Sequence, residues 1–156
     1  MTEEVEKIES EPEAIEVIGS EIEDSISDIE EYRIIPYPAD YTLKGLYDKW
    51  NTKELVIPKY QRQYVWQLYQ ASRLIESFLM GLPVPGIFLY KEPETQILSI
   101  IDGQQRLKTI FGFLDGIFPP TERVFRLKGI SSKWDGKAYK ELENRDQIKL
   151  RDSVLR

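Results

Sequence analysis

Asp102, Gly103, Gln104, Gln105 and Arg106 follow directly on the apolar run Ile97, Leu98, Ser99, Ile100, Ile101 and lead into Leu107, Ile110, Phe111 and Leu114. The run reads as a short buried strand, and the later residues, spaced i, i+3, i+4 and i+7, as one face of an amphipathic helix. Two accounts of the turn between them compete. Asp102 with Gln105 three residues on has the spacing of a capping box, which starts a helix without any ligand. That account covers Asp102, Gly103 and Gln105 but leaves Arg106 unexplained. A first turn already carries unpaired N–H groups and the positive end of the helix dipole, so a cation there is unfavourable. An anionic guest reverses the sign, and helix N-termini that follow glycine turns bind phosphate for this reason.

A second segment mixes cations, amides and aromatics. Lys59, Tyr60, Gln61, Arg62, Gln63, Tyr64, Val65 and Trp66 come just after Leu55, Val56 and Ile57, a brief predicted strand that Pro58 ends. In a functional reading this segment forms another wall of the same pocket. Arg62 pairs with phosphate, Gln61 supplies a hydrogen bond, and Tyr60, Tyr64 or Trp66 stacks on a base. In the alternative reading the aromatics belong to the core or its boundary, and Lys59 and Arg62 simply face water. Both candidate segments follow short strands, and loops at strand ends are where a scaffold tends to present a site.

The residue types that are missing narrow the chemistry further. With no cysteine and no histidine, the chain supplies no disulfide, thiolate nucleophile, Ser/His/Asp triad, or zinc site with His or Cys ligands. Chemistry here must use carboxylates, amides, Lys, Arg, hydroxyls, or a hard cation such as Mg²⁺ held by oxygen.

The surrounding elements divide the 156 residues into an acidic arm and a basic body. Residues 1–31 hold 13 of the 27 acidic residues and a single basic one, Lys7, whereas residues 32–156 carry 20 basic and 14 acidic side chains, a net of +6. A basic body attracts anionic partners, and phosphates in particular. Within the arm, Ile15, Ile18, Ile22, Ile26 and Ile29 would line one stripe of a helix. Like-charge repulsion makes that helix marginal alone, so the arm is expected to be disordered or to form by docking, as a solubilising tail or as a polyanion mimic.

Beyond Tyr32 the pattern predicts an extended entry, a helix over Leu43, Leu46, Tyr47 and Trp50, and a core helix from Leu68 to Leu79 that ends at Gly81. A strand over Ile87 to Tyr90 follows as hairpin partner of the strand at Ile97 to Ile101, then a helix closed by Asp115 and Gly116. A last strand is predicted over Val124 to Leu127, and a partly helical stretch from Tyr139. The final residues Ser153, Val154, Leu155 and Arg156 carry no cap, which predicts a chain cut inside a larger domain. No apolar stretch is long enough to span a membrane and the N-terminus lacks a signal-peptide layout, so the expected location is cytoplasmic, without a membrane partner.

Three segments together, IPKYQRQYVW (57–66), LIESFLMGLPVPGIFLYKE (74–92) and IIDGQQRLKTIFGFLDG (100–116), resemble in order and spacing the GmrSD-type restriction endonuclease N-terminal domain family, part of the ParB/sulfiredoxin-like superfamily. The resemblance runs from about Tyr32 to the C-terminus. It implies a mixed α/β (α+β) domain, a sheet with packed helices, that binds and hydrolyses nucleoside triphosphates with Mg²⁺ through the DGQQR turn. Such a domain often precedes an HNH-type nuclease domain, and the pair restricts phage DNA. Asp102, Gly103, Gln104, Gln105 and Arg106 match the nucleotide motif, and Tyr60, Gln61 and Arg62 the upstream one. Under this reading Arg106 and the amides near Gly103 hold phosphate, Gln104 or Gln105 orients water, and Asp102 positions Mg²⁺ or anchors the turn. The lack of histidine excludes the HNH domain from this chain. A non-catalytic module that grips DNA backbone is the alternative.

Overall fold

A computed structural model of the chain describes residues 36–156. The predicted arm helix and residues 32–35 lie outside the described residues. Residues 38–156 form one compact unit; residues 36–40 belong to no helix or strand.

Strand β1 (Tyr41–Thr42) runs into helix α1 (Leu43–Asn51), whose start is capped by the Thr42 hydroxyl accepting from the Gly45 amide at 3.0 Å. Strand β2 (Leu55–Val56) and helix α2 (Leu68–Met80) follow, the helix ending at Gly81 in the left-handed conformation. Next come β3 (Phe88–Lys91), β4 (Leu98–Asp102) and α3 (Gln104–Asp115). A two-stranded hairpin, β5 (Ile117–Phe118) with β6 (Arg123–Val124), precedes a 3₁₀ turn at Tyr139–Glu141, helix α4 (Asn144–Asp152) and strand β7 (Val154–Leu155).

The central sheet has the order β2-β4-β3, with β2 parallel and β3 antiparallel to β4. This is the mixed sheet of an α+β domain, and β3 is the expected hairpin partner. Helices α2 and α3 cover it with an apolar face: Ile75 and Leu79 from α2, and Leu107, Ile110 and Phe113 from α3, join Leu55 and Ile100 of the sheet in a core with almost no exposure. The two ends of the unit meet as β7 pairs antiparallel with β1, Leu155 opposite Tyr41, which buries Leu155.

Three expectations change. The strand at Ile97 to Ile101 is half-buried: Leu98 and Ile100 point inward and Ile101 outward, since side chains alternate along a strand. The strand expected at Val124 to Leu127 shrinks to Arg123–Val124. Phe125 and Leu127 leave the ladder for the core, and their amides donate instead to the Gly116 and Lys137 carbonyls at 2.9 and 3.0 Å. Finally, no capping box forms at Asp102 and Gln105. Asp102 is the last residue of β4, opposite Phe88, and Gly103 occupies the cap position with φ +95° and no side-chain cap bond.

Candidate functional site

Gly103 is dictated twice over. Its φ of +95° suits a residue without Cβ, and a Cβ placed there would collide with Ile87 Cγ2 and approach Arg106 Nη2 to 3.3 Å. Strand therefore gives way to helix across a single residue, β4 ending at Asp102 and α3 starting at Gln104. The amides of Gln104, Gln105 and Arg106 belong to the first helical turn and have no acceptor within the helix. The residues that carry them line an open cavity of about 410 Å³.

One wall of the cavity is the turn itself: Ile101, Asp102, Gly103, Gln104, Gln105 and Arg106. The other comes from the irregular segment after β2 and consists of Tyr60, Gln61, Arg62 and Trp66. The structure thus brings together every residue of the two motifs named as candidates. Tyr64 is the exception among the proposed stacking aromatics. Its ring meets Phe118 edge to face with centroids 6.0 Å apart, and its hydroxyl lies 2.8 Å from Thr109 Oγ1. Because Thr109 Oγ1 donates to the Gln105 carbonyl at 2.8 Å, Tyr64 is the donor to Thr109. Burial raises the Tyr64 phenol above its ordinary pKa. Tyr60 and Trp66 remain as aromatic faces at the cavity, Tyr60 82% exposed and Trp66 partly packed on the core.

Three glutamines join the walls. Gln104 Nε2 donates to the Arg62 carbonyl at 2.6 Å; Gln105 Nε2 donates to the Gln63 carbonyl at 3.1 Å while its Oε1 accepts from the Val65 amide at 2.9 Å. From the opposite side, Gln61 Nε2 donates to the carbonyls of Ile100 and Ile101. Gln104 and Gln105 are each 7% exposed. Both polar atoms of the Gln105 side chain are thus engaged by backbone, whereas Oε1 of Gln104 has no partner among the described residues.

Arg106 is the focal charge. Its side chain is 19% exposed, and Nη2 donates to the Gly86 carbonyl at 2.7 Å and to Asp102 Oδ2 at 3.1 Å. Nε is buried and has no partner among the described residues. The sequence reading missed Gly86, because a carbonyl twenty residues upstream leaves no local signal. A Cβ at Gly86 would strike the Arg156 carbonyl, which accepts from the Ile87 amide at 2.7 Å, so the residue that follows β7 buttresses the loop that holds Arg106. One turn along α3, burial lowers the Lys108 ammonium below the usual lysine range, though Lys108 does not line the cavity.

Asp102 is the only carboxylate among the cavity residues, with a side chain 64% exposed. No group of three or more Asp, Glu, His or Cys able to hold a metal occurs among the described residues. The donor set therefore fits no free-standing metal site. It fits Mg²⁺ carried by phosphate oxygens and water, which ordinarily needs only one or two protein carboxylates.

Residues 43–155 match the family model described as GmrSD restriction endonuclease, N-terminal domain. The chain belongs to this family, and so to a component of restriction or phage-defence proteins. No curated protein and no solved structure matches it. No helix among the described residues is long and apolar enough to cross a membrane.

Proposed function

We propose that this domain binds a nucleoside triphosphate with Mg²⁺ in the cavity between the two motif segments, hydrolyses it, and serves as a nucleotide-dependent sensor in a DNA-restricting protein of the cytoplasm. The observation that carries the reading is the unfinished pairing of Arg106. A buried donor without an acceptor costs about 1–3 kcal/mol; a phosphate in the cavity supplies an acceptor for Nη1, which has no partner among the described residues, and reaches Nε once the guanidinium turns toward it. The same phosphate meets the first-turn amides of α3, where the dipole favours an anion. The cavity volume of about 410 Å³ falls in the range of roughly 300–1,000 Å³ common for small-molecule sites.

The geometry supports the following roles. Gly103 lets the backbone approach the phosphate, and Arg106, held by Gly86 and Asp102, stabilises the charge that spreads over the phosphoryl oxygens. Gln104 Oε1 is the amide oxygen left to orient an attacking water, because Gln105 is occupied by backbone. Mg²⁺, when bound with the nucleotide, neutralises phosphate charge, and Asp102 is the residue that would hold it. Tyr60 and Trp66 offer faces for the base, and Arg62 a second cation. Water adds to the γ-phosphorus, the bridge to the β-phosphate breaks, and a diphosphate and inorganic phosphate leave.

Hydrolysis assays with Mg²⁺ on the wild type, Arg106→Ala, Arg106→Lys and Asp102→Ala test this reading. Loss of turnover in Arg106→Ala and Asp102→Ala, with partial retention in Arg106→Lys, is the expected pattern, since lysine keeps the charge but not the planar fork. Full turnover in both alanine variants refutes it.

The exposed Arg62 and the net +6 of residues 32–156 favour a second reading, a non-catalytic grip on DNA backbone. In that case DNA affinity falls steeply with salt and no nucleotide is turned over.

A further inference from the structure

Residues 61–65 belong to no helix or strand, yet their backbone groups still need partners. Gln105 provides two of them. Its side-chain amide acts as a one-residue strand, accepting from Val65 N–H and donating to the Gln63 carbonyl. Beneath it, the Tyr64 hydroxyl, Thr109 hydroxyl and Gln105 carbonyl form a relay of 2.8 Å bonds into buried structure. Thr109 is fully buried and Gln105 nearly so. This clamp sits between Arg62 and Trp66, the two residues of that segment that flank it and line the cavity. The phosphate end depends on different supports, namely the Gly103 turn, the α3 amides, and the Gly86 carbonyl on Arg106.

We infer that Gln105 is a positioning residue that sets the nucleoside wall of the cavity, and so decides how well a nucleoside is recognised, rather than a group that acts on the reacting phosphate. The inference rests on the nucleotide reading above and deepens it. Two features separate it from a catalytic role. Both polar atoms of the Gln105 side chain are bonded to the backbone of Gln63 and Val65, which aims the carboxamide at that segment, and the backbone amide of residue 105, which belongs to the phosphate end, survives any side-chain substitution. Losing the clamp therefore loosens one wall and spares the other.

The test compares three ligands and one amide. Wild type, Gln105→Glu and Gln105→Met are titrated with MgATP, MgGTP and inorganic tripolyphosphate, and hydrogen exchange at the Val65 amide is followed in each full chain. Methionine keeps the length of the side chain without its hydrogen bonds; glutamate keeps an acceptor for Val65 but loses the donor to Gln63. The nucleotide Kd is expected to rise about tenfold in Gln105→Met, as removal of a pair of neutral hydrogen bonds would give, and further in Gln105→Glu, whose carboxylate would face the Gln63 carbonyl and the bound anion. Tripolyphosphate affinity stays within about twofold, and Val65 exchange accelerates in Gln105→Met.

Equal weakening of nucleotide and tripolyphosphate in Gln105→Met overturns the inference, because the turn itself has then been disturbed. Unchanged nucleotide affinity together with unchanged Val65 exchange overturns it too, since the clamp is then idle. A wild type that binds tripolyphosphate but neither nucleotide refutes the nucleotide reading and the recognition role with it. Faster Val65 exchange would in that case still establish the clamp as a support of the wall.

Discussion

Asp146 and Arg106 both hold a charge largely out of water, and their surroundings differ in completeness. Asp146, its side chain 6% exposed, accepts from the Trp134 indole N–H at 2.7 Å and pairs with Lys133 at 3.2 Å. Its carboxyl is held below the usual aspartate range, first by the indole hydrogen bond and then by Lys133, against the effect of burial. Arg106 spends one nitrogen twice, on Gly86 and Asp102, has no partner for Nε among the described residues, and lines a cavity. A closed cluster is a fastener: it ties α4 to the loop at Trp134. An open one is where a ligand can complete the pairing. Buried polar groups in native proteins are nearly all satisfied, so the exception carries information.

The contrast breaks most easily at Arg106. Arg106→Ala should weaken nucleotide binding about a hundredfold, the size expected for losing charged hydrogen bonds to phosphate. Asp146→Asn should leave the affinity unchanged in the same titration. Next in size is Gly103→Ala. A left-handed φ with a Cβ driven into Ile87 should cost about 2 kcal/mol of stability, measured by urea denaturation, and should reduce nucleotide affinity as well. A similar alanine at Gly116, also left-handed at φ +80° but with open space around its Cβ, should cost less.

Acid titration sharpens the other half of the comparison. The folded pKa of Asp146 lies below its unfolded value of about 3.9. Its contribution is therefore fully present above pH 4 and is lost as pH falls through the folded value, because the unfolded chain takes up the proton first. Thermal melts between pH 5 and 2 should show that loss in the wild type and a shallower one in Asp146→Asn. The smallest effect belongs to Tyr64→Phe. Removing the donor to buried Thr109 should cost about 1 kcal/mol, with nucleotide affinity held because Tyr64 is not a cavity residue. A large loss of affinity would return Tyr64 to the site.

Helices and the central hairpin were legible in the sequence because each buries one face, and the period of that face survives in the order of residues. The α3 stripe of Leu107, Ile110 and Phe111 and the stops at Gly81 and Gly116 appear where expected. The spacing of Asp102 and Gln105 was read as a possible cap because sequence spacing does not reveal φ. Once Gly103 turns left-handed, the Asp102 carboxylate meets Arg106 and the Gln105 amide turns to Val65. The strand at Val124 stops early because Phe125 packs edge to face on Phe113 and Phe118, with centroids 5.1 and 5.2 Å away.

Within the site, the two motifs could be placed on neighbouring loops from their position after strands. Their glutamine clasp could not, since side chain to backbone bonds across some forty residues leave no periodic trace. Gly86 shows the same limit: its importance lies in the Arg106 nitrogen and the Arg156 carbonyl it contacts, both remote in sequence.

Calorimetric titration of Mg²⁺-nucleoside triphosphate into wild type, Arg106→Ala and Asp146→Asn tests the central claim most directly. Saturable binding to the wild type and to Asp146→Asn, lost in a folded Arg106→Ala, is the predicted result. Equal affinity in Arg106→Ala and the wild type would contradict it.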